Sequence, residues 1–280
     1  MKVLHLIAGE LSSGAARGAY WLHQALRDLG VDSRILTNAK DDLGDESVIS
    51  LADSALRRLK FSALYRLGRI PLWQYRDRLP LIFSTGRGGV DITRHPEYKS
   101  ADLVHLHWVN GLVSVRGLGK IKKPIVWTLR DMWPFTGGCH YAMDCEQYLA
   151  ACGNCPQLGS SRTHDLTRLG TRQKLASIPE DIQVVGISRW MSDCASRSTV
   201  LRARKVTTIS NNVDTQLFYP LPKNLARDRL GLGDDTKIVL IGAHDVVSVY
   251  KGFDLFLEAV NGMTNEKIHV VMFGSTNKDV

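Results

Sequence analysis

The 280-residue sequence has no uninterrupted apolar run approaching the roughly 18 residues that a membrane-spanning helix requires. Its first residues, MKVLHLIAGELSSG, contain a short apolar run that meets Glu10 and a Gly/Ser loop rather than a small-residue cleavage site. We therefore predict a first strand, no signal peptide and a cytoplasmic protein. The G-x-G-x-x-G dinucleotide fingerprint is also missing, because the first loop offers only Gly9, Gly14 and Gly18.

Cysteine is scarce and concentrated, with four of the five cysteines between residues 139 and 155. In a reducing compartment this clustering favours a metal site or free thiols over disulfides. The spacing C-x5-C-x6-C-x2-C leaves three alternatives open: a structural zinc, reduced packed thiols, or disulfides. A four-cysteine zinc would have no open position for catalysis. The candidate ligands are Cys139, Cys145, Cys152 and Cys155, with His140 able to replace one.

The formal net charge of +8 suggests an anionic partner, although a solvated basic surface explains it equally well. The basic residues cluster with apolar and aromatic ones in the stretch 53–81. Such a stretch can lie on an anionic membrane or be the solvated face of a surface helix. Its candidate acceptor- or membrane-facing residues are Arg57, Arg58, Arg66, Arg69 and Trp73. No nucleic-acid-binding motif is present, so we expect no nucleic-acid partner.

The order of elements predicts an α/β fold. A strand at 2–8, a small-residue loop, a helix at 15–29 and a strand at 33–37 form the opening of a Rossmann-like unit. The predicted first domain is 1–215, with a cysteine-rich loop at 131–159. A linker follows at 216–236. The segment 237–280 then starts a second Rossmann-like domain, with too few strands to complete a buried sheet.

Several motifs, taken in order, resemble glycosyltransferase family 4. They are the first Gly/Ser loop with Ala15-Ala16-Arg17, DLVHLHWVNG at 102–111, DMWPFTGGCHYAMDCEQYLAACGNC at 131–155, Ile187-Ser188 with Trp190, ISNNVDTQLF at 209–218, and Lys251-Gly252. The cysteine-loop motif is the most specific. It points to the branch that builds colanic-acid-like exopolysaccharides.

The resemblance implies a GT-B fold of two Rossmann-like domains with parallel sheets, the second incomplete here. It implies transfer from a UDP- or GDP-linked sugar to a lipid-linked saccharide, with retention of configuration and no metal needed for the chemistry. The enzyme would be cytoplasmic and peripheral on the inner face of the cell membrane. Implied catalytic residues are His107, Arg130 and Asp131, and implied donor-binding residues are Gly14, Gly242, Lys251 and Gly274.

The sequence departs from the family pattern at three places. Arg130-Asp131 stands where the family usually has His-Asp, and Gly242-Ala243 where many relatives have Gly-Arg. The glutamate pair that holds the donor would lie beyond residue 280. We therefore expect a C-terminally truncated chain that alone transfers little sugar. The alternatives are a zinc-stapled Rossmann-type module that binds nucleic acid or protein without catalysis, and a noncatalytic nucleotide-sugar sensor.

Overall fold

The computed structural model of the protein describes residues 1–12, 14–39, 44–233, 237–245, 248–263 and 268–275. The chain divides into two compact units, Met1–Asn212 and a second that begins at Val213. The elements of the first unit are β1 (Lys2–Ile7), α1 (Gly14–Asp28), β2 (Asp32–Thr37), β3 (Val48–Ser50), α2 (Ala55–Arg69), α3 (Pro96–Ser100), β4 (Leu103–Leu106), α4 (Val115–Leu118), β5 (Ile125–Leu129), α5 (Leu166–Ser177), β6 (Gln183–Gly186), α6 (Arg189–Arg197) and β7 (Lys205–Thr208).

The strands of the first unit form one parallel sheet in the order β3-β2-β1-β4-β5-β6-β7. The predicted parallel α/β architecture is therefore confirmed. Strand order reverses between β1 and β4, and in open parallel sheets ligands bind at the carboxyl ends of the strands at such a point. β1 is buried along nearly its whole length, as a central strand covered on both faces should be.

Helix α1 follows β1 after a short loop and confirms the predicted first helix. Its buried side is made of small residues, Ala16, Gly18 and Ala19, together with His23. The small side chains let the helix lie close to the sheet. Leu29 is 80% exposed because the helix ends at Asp28 and the chain turns at Gly30 with φ +78°.

The basic stretch forms α2, which is capped by the Ser54 side chain and continues into a 3-10 turn at Ile70–Gln74. Only Phe61 and Gly68 of α2 are buried. Most of its leucines and arginines are consequently at the surface, and the helix is held to the unit by a narrow contact.

The cysteine-rich loop between β5 and α5 is compact. It contains 3-10 turns at Trp133–Phe135, Gln147–Ala150 and Pro156–Leu158, and Trp133 and Phe135 are almost fully buried. Among the described residues, the four non-glycine positions with positive φ all lie in this loop: Met143, Ala151, Cys152 and Asn154. Packing therefore holds backbone conformations that L-residues rarely adopt.

The second unit contains α7 (Lys223–Leu230), β8 (Lys237–Asp245), α8 (Phe253–Asn261) and β9 (Ile268–Ser275), and β8 pairs in parallel with β9. The segment predicted as a linker thus holds a helix, α7. Residues 234–236, 246–247, 264–267 and 276–280, which fall in the predicted linker and second domain, lie outside the described residues. None of the described helices is both long and apolar enough to cross a bilayer.

Candidate active site at the carboxyl edge of the large sheet

Loops that follow strands of the large sheet meet at the carboxyl ends of β1 and β4. After β1 the chain turns at Gly9, with φ +87°, and the Gly9 amide donates to the Asn38 side chain at 3.0 Å. Helix α1 then begins at Gly14, where an added Cβ would meet no atom within 4 Å. An open helix N-terminus favours anions, so Gly14 lies where the sequence predicted a ligand-facing loop.

Arg130 directly follows β5 and extends across this edge. Its guanidinium lies 3.4 Å from Nδ1 of His107, donates to Oδ1 of Asn211, and lies so close to α1 that a Cβ at Gly18 would be 2.7 Å from Nη1. Burial lowers the pKa of Arg130 to about 10, which leaves it protonated at neutral pH. The structure therefore brings together Arg130 and His107 of the predicted catalytic set and adds Asn211.

The contact with Arg130 decides the protonation of two buried histidines. A guanidinium can only donate, so Nδ1 of His107 must be the acceptor and its Nε2 must carry the proton. That Nε2 lies 3.0 Å from Nδ1 of His5, which accepts in turn. The remaining nitrogen of His5, Nε2, then carries a hydrogen that is buried without a partner among the described groups.

His5, His105 and His107 are the one group of three or more potential metal ligands found in the described part of the chain. Burial lowers the pKa of all three well below the ordinary histidine value, to about 3 for His105, so all are neutral. A metal would still need lone pairs on His5 and His107 that the hydrogen bonds from His107 and Arg130 already occupy. The arrangement as it stands therefore fits an ordered hydrogen-bond chain and not a metal centre.

Asp131, the third predicted catalytic residue, is turned away from Arg130 into the cysteine-rich loop. Its carboxylate lies 2.6 Å from Nδ1 of His140 and accepts from the Trp133 amide at 2.9 Å. His140 Nε2 is 2.8 Å from Oγ of Ser84. In this structure Asp131 stabilises the entry to the loop, and its catalytic role stays a prediction.

The cysteine-rich loop surrounds a buried cation, Lys174 of α5. Its ammonium donates to the carbonyls of Trp133 and Thr136, the latter at 2.8 Å, and lies 3.9 Å from the centre of the Trp133 ring. Burial lowers the pKa of Lys174 to about 7, and nearby Cys139, Cys152 and Asp131 oppose that shift.

The cysteines predicted as zinc ligands are all free thiols. Burial raises the pKa of Cys139 to about 12 and that of Cys155 to about 11, so both thiols are protonated at neutral pH. The sulfurs of the set, which also includes Cys145 and Cys152, are not gathered closely enough to form a ligand group. The positions as described do not fit a tetrahedral zinc, and the structural zinc stays a prediction.

The donor-binding residues predicted near the C-terminus lie in the second unit. Lys251 ends a 3-10 turn, is exposed, and its Nζ lies 5.5 Å from the ring centre of Tyr250. Gly252 follows with φ +66° and precedes α8. Gly242 is on β8, where a Cβ would be 2.3 Å from the Phe273 ring, and Gly274 is on β9 with φ +134°.

The predicted surface residues all lie on α2 or the turn after it, and all are exposed. Arg57 pairs with Asp53 at 2.7 Å, and Arg69 donates to the Tyr65 hydroxyl at 2.9 Å. Trp73 is 75% exposed. Arg58 and Arg66 complete the set. Four arginines and an indole therefore share one surface element of the first unit.

Sequence reasoning missed two residues near this edge. His5 was taken only as part of a buried strand, although its register opposite His105 was implicit in the pairing of β1 with β4. Asn110, which lies within the motif at 102–111, is 7% exposed, and neither atom of its amide has a partner among the described groups. An asparagine just after a central strand was the available signal.

Comparison with known proteins identifies the first unit. The family model described as Glycosyltransferase Family 4 matches residues 12–217. The chain is 27% identical over 190 residues to the protein named as a colanic acid biosynthesis glycosyl transferase, WcaC, of Escherichia coli (strain K12). This match covers 62% of the chain and 45% of WcaC.

Two solved structures are similar in fold. One is a glycosyltransferase from Rickettsia africae ESF-5, with a TM-score of 0.54 and 14% identity. The other is Anabaena Alr3699/HepE in complex with UDP-glucose, with a TM-score of 0.52 and 13% identity. The similarity covers 98% and 97% of this chain, respectively, and 60% of each of the others. The chain thus spans about half the length of the curated relative, and the predicted GT-B fold class is confirmed.

Proposed function

The chain belongs to glycosyltransferase family 4, and on that premise we propose that it transfers a glycosyl group from a nucleotide sugar to a saccharide acceptor during exopolysaccharide biosynthesis. The observation that carries the proposal is the meeting of Arg130, His107 and Asn211 at the carboxyl edge of the sheet, inside the segment that the family model matches. The family match favours a transferase over a noncatalytic binding module.

The proposed donor is a nucleoside diphosphate sugar. Its support is the UDP-glucose bound by the Anabaena protein of similar fold. Lys251 offers a cationic point charge to a diphosphate, followed by Gly252 and a helix N-terminus. We assign to Arg130, a partly buried cation at the carboxyl edge of the first unit's sheet, the stabilisation of negative charge that develops during transfer. We propose retention of configuration and no metal requirement, since cations of the chain would neutralise this charge.

The direction of the hydrogen bonds that link Arg130, His107 and His5 gives His107 a defined role. Its Nδ1 lone pair is directed at Arg130, and its Nε2 hydrogen is directed at His5. His107 is therefore a neutral residue that orients the guanidinium rather than a proton donor to substrate. It acts as a positioning residue in the proposed site.

Transfer and donor binding are tested separately. Thermal unfolding of the 280-residue chain is followed with UDP, GDP and their glucose and mannose conjugates, and nucleotide release is measured with saccharide acceptors. We expect one nucleotide series to raise Tm, and Lys251→Gln to abolish most of that rise. Lys60→Gln, on the exposed face of α2, is the matched control. If no nucleotide sugar shifts Tm, the donor proposal is wrong.

The proposed acceptor is a lipid-linked saccharide, reached from an anionic membrane surface at the inner face of the cell membrane. The exposed side chains of α2 and its following turn support this location. Leu56, Leu59, Leu67 and Trp73 are between 60% and 76% exposed beside the arginines already described. Such a surface can insert apolar side chains at the headgroup level while each arginine contributes about 1 kcal/mol of electrostatic attraction.

Vesicle sedimentation tests the membrane surface. We expect the chain to bind vesicles that contain anionic lipid, and binding to fall about thirtyfold in the double variant Arg58→Ser with Arg66→Ser. The control is Arg189→Ser with Arg197→Ser on α6, which removes the same charge elsewhere in the first unit. Equal binding by the two double variants would reject α2 as the membrane-facing element.

A further inference from the structure

A mostly apolar pocket lies between α2, the basic helix, and the chain that follows β3. Its volume is about 230 Å³, and it is lined by Leu51, Arg57, Lys60, Phe61, Val90 and His95. A water molecule takes about 30 Å³ in the liquid, and a methylene group is of similar size. The pocket therefore has room for a short segment of hydrocarbon chain.

Three apolar side chains form the floor of this pocket. Phe61 is a buried member of the main hydrophobic core, and Leu51 and Val90 are partly buried and pack against that core. The amides of Leu51 and Val90 donate to the carbonyls of Thr37 and Leu112 at 2.7 and 2.8 Å. Because these backbone groups are already paired, the floor offers hydrocarbon to a ligand, and burying apolar surface on it is favourable.

The mouth of the pocket carries positive charge. Arg57 and Lys60 lie three residues apart on α2, on the same face as Phe61, and both are exposed. Arg57 pairs with the exposed carboxylate of Asp53, while Lys60 makes no ion pair within the residues that the structure describes. The six lining residues include no acidic side chain. An anionic group at the mouth would therefore meet two cations.

His95 adds a neutral hydrogen-bond donor to this mouth. The amide of Glu97 donates to Nδ1 of His95 at 3.2 Å, so Nδ1 accepts and Nε2 carries the hydrogen. Burial lowers the pKa of His95, and the nearby Arg57 lowers it further, although Glu97 acts in the opposite direction. The ring is consequently neutral at neutral pH, and its Nε2–H can donate to an anionic oxygen.

The combination of an apolar floor and a basic mouth selects one class of ligand. A free phosphate ion would use the mouth and leave the floor empty, and a neutral apolar molecule would do the reverse. A lipid phosphate has both parts, since its anionic oxygens suit lysine and arginine and its chain suits the floor. The stems of Arg57 and Lys60 can cover part of that chain while their charged ends stay in water.

We propose that this pocket binds one hydrocarbon chain of a lipid phosphate drawn from the membrane surface, with the phosphate on Arg57, Lys60 and His95. The inference rests on the proposed membrane-facing role of α2 and deepens it. The helix would not only lie on an anionic surface but would also hold a single lipid at a defined place.

The experiment measures binding of n-octyl phosphate to the whole 280-residue chain, below the concentration at which this amphiphile forms micelles. Calorimetric titration compares it with n-butyl phosphate, inorganic phosphate and 1-octanol. We expect octyl phosphate to bind at least about tenfold more tightly than butyl phosphate, because each further methylene that is buried contributes up to about fourfold. We expect it to bind at least about fivefold more tightly than 1-octanol, which lacks the charge.

Variants locate the binding. Val90→Phe fills the floor without changing the charge and should reduce octyl phosphate binding to the level of butyl phosphate. Arg57→Gln should weaken octyl phosphate about two- to fivefold. Arg58→Gln, the adjacent arginine of α2 that does not line the pocket, should bind as the wild type does. Intermolecular NOEs between the octyl chain and the Phe61 ring need no variant, so they decide the matter even where Val90→Phe fails to fold.

Three results would overturn the inference. One is octyl phosphate that binds no more tightly than butyl phosphate, which is an anion on a basic surface only. Another is 1-octanol that binds equally well, which is an apolar ligand only. The third is octyl phosphate binding without contact to the Phe61 ring or without an effect of a folded Val90→Phe.

These outcomes are distinct from those for the proposed membrane surface. A chain that sediments with anionic vesicles but does not bind octyl phosphate contradicts only this inference. A chain that binds octyl phosphate, but whose vesicle binding is unaffected by loss of Arg58 and Arg66, contradicts only α2 as the membrane-facing element.

Discussion

Lys174 makes the stability of the first unit depend on pH in a direction opposite to most lysines. Its pKa is lowered from 10.5 to about 7 by burial, so between these values the unfolded chain binds a proton that the folded chain lacks. Stability therefore rises with pH across that interval, at up to about 1.4 kcal/mol per pH unit, and the full cost of the buried charge applies below pH 7.

The assay is urea unfolding of the wild type and Lys174→Met at pH 6.5, 7.0, 7.5, 8.0 and 8.5. Subtracting the two free energies of unfolding cancels other titrating groups. We expect the wild type to gain about 1.5 kcal/mol relative to Lys174→Met between pH 7 and 8.5. The pH series ends at 8.5 because the folded-state pKa of Cys139 is raised. The stability that the protonated thiol contributes is therefore lost as pH rises above the ordinary thiol pKa.

Lys60→Met serves as the control, since it removes an exposed lysine from α2. Its free energy of unfolding should run parallel to the wild type across the same pH range. The result to look for is the difference in free energy of unfolding between the wild type and Lys174→Met. If this difference does not change from pH 6.5 to 8.5, burial does not lower the pKa of Lys174. The packing described for the cysteine-rich loop would then be wrong.

Three further predictions concern single residues. Ala151 has φ +69°, so Ala151→Gly should raise the free energy of unfolding by about 1 kcal/mol in urea titration, whereas Ala150→Gly should lower it. Gly18→Ala should displace the Arg130 guanidinium and change the ¹⁵N shift of His107 Nδ1 in histidine NMR spectra, while Gly30→Ala leaves that shift in place. Cys139, with its pKa raised to about 12, should react with iodoacetamide at pH 8 more than tenfold slower than in urea, by mass spectrometry.

The sequence predicted those parts of the fold that depend on local patterns. Apolar runs such as 2–7 and 125–129 form central strands, and the loop of small residues after β1 leads into a helix. Short elements with few apolar residues were missed. β3, for example, has three residues and is stabilised by pairing with β2 rather than by its own composition.

The site was predictable in its position and less so in its contacts. His107 and Arg130 each follow a central strand, and the carboxyl ends of parallel strands lie along one edge. The link from His107 to His5 spans 102 residues of sequence and depends on strand order, which no local pattern encodes. Asp131 is adjacent to Arg130 in sequence, yet its carboxylate contacts His140, nine residues further along, and this contact depends on how the loop folds.

The most direct test of the central claim is titration of the 280-residue chain with UDP-glucose, comparing the wild type with Arg130→Gln. The account predicts saturable binding by the wild type and about tenfold weaker binding by Arg130→Gln, because a positive charge is lost from the carboxyl edge of the sheet. The control is Arg204→Gln, which changes a partly buried arginine directly before the first residue of β7. This variant should bind as the wild type does. Equal affinity for the wild type and Arg130→Gln, or no binding by either, would contradict the assignment of this edge as the transferase site.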